Sequence, residues 1–133
     1  MMARIASHRA GRRILAVLLV AGVKLALRAA PARTLRAIHR SCREPSDCAP
    51  PDDRGRVEVL RRLVSSIAGA SRLMSGTCLD SALASCVAAR LLRAHVSLGI
   101  GVDRLRPELR AHAWVECGGT VLAGGPALVA FDR

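Results

Sequence analysis

Aromatic side chains are nearly absent from this chain of 133 residues: Trp114 and Phe131 stand alone, and there is no Tyr. A core must therefore be built from Ala, Leu, Val and Ile. Single-strand nucleic-acid binders stack bases on aromatic platforms beside a positive groove, so the net charge of +11 alone does not make a nucleic-acid partner. Zinc-finger and RNA-recognition signatures are missing as well. So is paired CxxC spacing. The cysteines Cys42, Cys48, Cys78, Cys86 and Cys117 form an odd set, which argues against a disulfide framework or a structural zinc site. Cys42 and Cys48, near His39, stand wider apart than the usual knuckle and lack a fourth ligand. They read as two solvent-near thiols in a reducing compartment, and no metal is expected.

Acidic residues are missing from the first forty positions, where Arg4, Arg9, Arg12, Arg13, Lys24, Arg28, Arg33, Arg36 and Arg40 give +9; the remainder carries only +2. A long apolar run is missing too. Ile14 to Val23 is interrupted by Lys24, short of the roughly 20 apolar residues a membrane span needs. Lys24 and Arg28 also fall where the cleavage region of a secretory signal should be uncharged. The segment reads as a soluble helix, with Arg13, Lys24 and Arg28 within about 60° of one another along one edge and the rest packed. Interfacial membrane contact through residues 9–28 is the second reading.

With 51% hydrophobic residues, the chain is no polar disordered tail, and its length suits one compact domain. Residues 1–43 form a basic helical extension in which Pro31 suits the first turn of a second helix. That helix sets Leu35 and Ile38 against Arg33, Arg36 and Arg40. Residues 44–55, rich in Pro and Asp, read as a linker. Residues 56–133 form the core. Val57, Leu60, Val64 and Ile67 recur at helical spacing, with a stop near Gly69. A helix from Cys78 to Ala94 follows. Val96 to Val102 and Ala111 to Cys117 read as strands, and Gly118-Gly119 is a hairpin turn into a strand over Thr120 to Ala123. The fold class is α+β, helices first and a small antiparallel sheet after.

Thr77 and Asp80 match a capping box, which makes Cys78 the first residue of its helix. A thiol is nucleophilic as its thiolate, and the free amides and dipole of a helix start favour that anion. Cys86, about 12 Å further along, lacks this advantage and reads as a small core residue. The candidate base is His112. Strand alternation sends His112, Trp114 and Glu116 to one face and Ala113 and Val115 to the other, as in a cleft lining. His8 and His39 lie in the basic segment, and His95 sits at a helix end where it favours the dipole.

Cys78-Leu79-Asp80-Ser81-Ala82-Leu83 and Ala111-His112-Ala113-Trp114-Val115-Glu116, with Leu98-Gly99-Ile100-Gly101-Val102 between them, resemble the transglutaminase-like leader peptidases of lasso-peptide biosynthesis. The likeness covers most of residues 10–125. It implies a papain/transglutaminase-like core and a cysteine peptidase that removes the leader from a lasso precursor before a separate ATP-dependent cyclase closes the ring. Cys78 is then the nucleophile, and His112 the base that later protonates the leaving amine. Amides at the start of the Cys78 helix would be the oxyanion donors. The implied partners are the precursor peptide, a small leader-binding protein and the cyclase. The implied location is cytoplasmic or peripheral at the inner membrane face. No cofactor is implied, and a nucleotide requirement stays open.

In the family an acidic residue about a dozen positions after the histidine orients the imidazole. Here Leu122-Ala123-Gly124-Gly125 offers none. With Gly118-Gly119 as the turn, the expected register pairs Cys117 with Thr120, Trp114 with Ala123 and Ala113 with Gly124. Glu116 shares the face of His112 but lies roughly 13 Å along the strand, and Asp132 could return only through the tail. Three alternatives stay open: a slower dyad with the ring held by a backbone carbonyl, a weakened enzyme, or a non-catalytic module that holds precursor or partner. Asp80 reads as a cap before it reads as a catalytic group, and Trp114 as packing before it reads as a groove wall.

Overall fold

A computed structural model of the chain describes residues 4, 6, 8–42, 54–103 and 110–123. Its elements are α1 (Arg9–Ala29), α2 (Pro31–Ser41), α3 (Arg54–Leu73), α4 (Cys78–Leu91), β1 (Ser97–Asp103), β2 (Arg110–Cys117) and β3 (Thr120–Ala123). The strands form one antiparallel sheet in the order β1-β2-β3. The architecture is α+β, as expected. Of the 44–55 linker, only Arg54 and Gly55 fall among the described residues, and both belong to α3.

α3 carries the stripe its spacing announced: Leu60, Leu63, Val64 and Ile67 are all buried. It runs past Gly69 to Leu73, because Gly69 lies in open space within the helix and nothing there turns the chain. The stop comes at a Schellman motif, in which Ser75 N donates to Arg72 O (3.3 Å) and Gly76 N to Ser71 O (2.7 Å). Ser75 takes the left-handed backbone at φ 52, where glycine is the usual residue. Gly76 follows because a Cβ there would stand 2.2 Å from Ser71 Oγ.

α4 is the centre of the packing. Ala82, Leu83, Ala84, Ser85, Cys86, Ala88 and Ala89 are buried, so the helix is enclosed nearly all round and shows no polar face. It ends at Leu91, before the expected Ala94, in a second Schellman motif: Arg93 N donates to Arg90 O (3.0 Å) and Ala94 N to Ala89 O (2.8 Å). Arg93 is the left-handed residue here, at φ 55. A side chain in that conformation costs about 1 kcal/mol relative to glycine.

α1 joins the same core through Ala16, Val20 and Val23, packing on α3 and α4. The expectation that everything outside the basic edge would pack is corrected. Ile14, Leu18 and Leu25 are 62%, 63% and 69% exposed. A straight helix on a small domain can bury only one stripe, and these residues lie roughly 180° from Val20 and Val23 at 100° per residue. Among the described residues, no helix is long and apolar enough to cross a membrane. α2 has no fully buried residue; Leu35 and Ile38 rest against the core, and Thr34 Oγ1 donates back to Ala30 O (2.9 Å) and Ala26 O (3.1 Å).

Across β1 and β2, Gly99 faces Trp114 and Gly101 faces His112. Gly118 and Gly119 make the tight turn with φ of 56 and 78, a pair of left-handed residues suited to a two-residue hairpin. Cys117 pairs with Thr120 and Glu116 with Val121, in the expected register, but from Val115 onward the register is corrected. A bulge lets Val115 pair with Ala123, so Leu122 is the extra residue. The bulge keeps Val115 and Ala123, both buried, on the core face.

Candidate active site

The turn from α3 to α4 delivers Cys78. Thr77 adopts extended backbone (φ −93, ψ 170), its Oγ1 accepts from Asp80 N (3.3 Å), and its own N–H donates to Asp80 Oδ2 (2.8 Å). Both halves of the capping box are formed, and Cys78 is the first residue of α4, half-buried. Asp80 acts there as a cap. Its Oδ2 also lies 3.8 Å from Lys24 Nζ.

Lys24 is the functional surprise of the N-terminal segment. Instead of lying on a solvated edge, its ammonium donates to Met74 O (2.9 Å) and Ser75 O (3.2 Å), the carbonyls that α3 leaves at its end. One side chain of α1 thus ties together the end of α3, the turn and the start of α4. Sequence reasoning missed this role. The signal was a single cation interrupting an apolar helix, but its target lies 50 residues away along the chain. Lys24, Leu27, Arg28 and Asp80 line a cavity of about 230 Å³ beside the start of α4.

β2 follows the expected alternation. Ala113, Val115 and Cys117 are buried on the face that the helices cover, while His112, Trp114 and Glu116 are half-buried on the other. Trp114 packs across the sheet: a Cβ on Gly99 would stand 2.1 Å from its Cε2, and one on Gly101 3.2 Å from its Cζ3. Its Nε1 donates to Glu116 Oε1 at 2.9 Å. Trp114 is therefore a packing residue on this face, and Glu116 is its acceptor.

α4 and β1 are each about 20 Å long. Both β1 and β2 touch α4, and β2 runs antiparallel to β1. His112 projects from the sheet face opposite the one that the helices cover, and among the described residues no hydrogen bond joins it to Cys78. The three carboxylates whose side chains are described are all engaged elsewhere: Glu58 with Arg62 (2.8 Å), Asp80 in the cap, and Glu116 with Trp114. Gly124 and Asp132, the positions weighed for an orienting group, lie outside the described residues.

The remaining thiols depart from expectation. Cys86 is buried, as read, but Cys42 is not a lone solvent-near thiol: it rests against the core, and the Cys86 thiol donates to its sulfur. That bond holds Cys42 below the ordinary thiol range, against the opposing effect of its burial and with help from Ser41. The same bond, with burial, pushes Cys86 far above that range. Among the described residues, no cluster of metal-ligating side chains occurs.

No curated protein and no solved structure matches the chain. The family model of the transglutaminase-like superfamily matches residues 9–132. That span takes in the basic helix α1, the capped helix that opens on Cys78 and the small sheet bearing His112, and the chain belongs to the transglutaminase-like superfamily.

Proposed function

We propose that this protein is a cysteine peptidase that removes the leader peptide from a lasso-peptide precursor, with Cys78 as nucleophile and His112 as general base and acid. The observation that carries the reading is the capped start of α4. Thr77 and Asp80 satisfy each other's amides and set Cys78 as the first residue of the helix, beside first-turn amides that can serve an oxyanion. The superfamily match, which spans both Cys78 and the Ala111-His112-Ala113-Trp114 motif, supports His112 as the partner. In the proposed reaction, Cys78 Sγ attacks the scissile carbonyl as His112 takes its proton. His112 then protonates the departing amine, and water releases the acyl group from sulfur.

A lasso precursor incubated with this protein and a leader-binding protein should be cut at one bond, seen by mass spectrometry as two complementary fragments. Cys78→Ala and His112→Ala should each eliminate the fragments. If the precursor binds and stays intact with the unaltered chain, the peptidase reading fails and a precursor-holding module takes its place.

A further inference from the structure

A second cavity, of about 430 Å³, opens at the other end of α4, roughly 20 Å along the helix from Cys78. Arg40 from α2, Arg90 from the last turn of α4, and Arg93 and His95 beyond it line the opening, with Cys86 and Val96 also in the wall. Its size is that of a small-molecule site.

Three observations converge on this cavity. Its lining includes no carboxylate, and among the described residues the carboxylates are committed elsewhere, so none of them neutralises these guanidiniums. A helix C-terminus favours one nearby cation, which accounts for Arg90 but not for Arg40 and Arg93 beside it. Arg93 moreover occupies the left-handed position of the Schellman motif at φ 55, where glycine would be unstrained. An arginine kept in a disfavoured backbone conformation, with its side chain lining a cavity, points to a role for that side chain.

We propose that this cavity binds a small soluble molecule carrying two adjoining phosphate groups. Guanidinium forks match phosphate oxygens in pairs, and a diphosphate spreads enough charge to engage three arginines where a single carboxylate would leave two unmatched. The site is separate from Cys78 and His112 and stands or falls independently of the peptidase reading.

The probe is inorganic pyrophosphate, titrated calorimetrically into the full chain at fixed ionic strength. The unaltered protein should bind it saturably at one site. Arg90→Gln and Arg93→Gly should each weaken binding by roughly tenfold or more. Arg61→Gln, an exposed arginine on α3, should leave it unchanged. Arg93→Gly should also raise the melting temperature without ligand, since glycine relieves the left-handed backbone, so its lost affinity is not unfolding. Absence of saturable binding, more than one equivalent bound, or equal weakening by Arg61→Gln would overturn the proposal, the last two by showing diffuse charge attraction.

Discussion

Gly99→Ala tests how the sheet face bearing His112 is built. The new Cβ would stand 2.1 Å from Trp114 Cε2, 2.3 Å from Cζ2 and 2.6 Å from Nε1. Carbon atoms pack at about 3.5 Å, so the indole must retreat by about 1.4 Å. Its 2.9 Å hydrogen bond to Glu116 does not survive such a shift. Overpacking of this kind costs about 1–3 kcal/mol, and a lost hydrogen bond at a half-buried site about 1 kcal/mol. Against these, alanine lowers the entropy of the unfolded chain by about 0.4–1 kcal/mol. The net expectation is about 2 kcal/mol of destabilisation. Gly101→Ala is the control on the same strand: its Cβ meets Trp114 Cζ3 at 3.2 Å, a contact relieved by a few tenths of an ångström, and the expected change is within about 0.5 kcal/mol. Trp114 is the chain's single tryptophan and there is no tyrosine, so its emission reports this site alone. Urea titration followed by that emission should show a lower midpoint and a red-shifted native spectrum for Gly99→Ala only. Equal midpoints and identical native spectra for the two variants would refute the close approach of Trp114 to Gly99.

Lys24→Met removes the tie between α1 and the turn before Cys78 and should cost about 1–2 kcal/mol, with faster amide exchange at Gly76 and Thr77; Arg28→Met, on the exposed edge, should be near neutral. Thr77→Ala should cost about 1 kcal/mol in urea unfolding and deprotect the Asp80 amide, the proton Thr77 accepts. The thiol pair predicts a pH signature. Cys42, depressed in the folded state, contributes stability that is present above the ordinary thiol value of 9.0 and is lost as pH falls through its folded value. Cys86, raised in the folded state, contributes stability that is full below 9.0 and is lost as pH rises beyond it. Stability carried by the pair should peak near that pH, and Cys86→Ser should flatten the peak in urea midpoints measured from pH 7 to 11. On α1, Val20→Ala should cost about 2 kcal/mol and Leu18→Ser less than about 0.5 kcal/mol, since only the first side chain is buried; a comparable loss at Leu18 would contradict the exposed stripe.

Where local chemistry decides the outcome, the sequence was enough. The capping box before Cys78 follows from two side chains three residues apart, the α3 stripe from helical periodicity, and the Gly118-Gly119 turn from a pair of residues that tolerate left-handed backbone. Burying Val115 also burdens its neighbours, because strand alternation then sends His112 and Trp114 to the other face. What long-range packing decides was not legible. Lys24 finds carbonyls 50 residues away, and a bulge at Leu122 moves the hairpin register by one. Cys42 meets Cys86 only because α2 folds back on α4, and α1 leaves Ile14, Leu18 and Leu25 uncovered. The physical reason is one of range. Caps, turns and periodicity are energies between residues a few positions apart and are written in the local order of side chains. The partner of a buried cation, a thiol or a helix face is settled only when distant segments compete for the same small core.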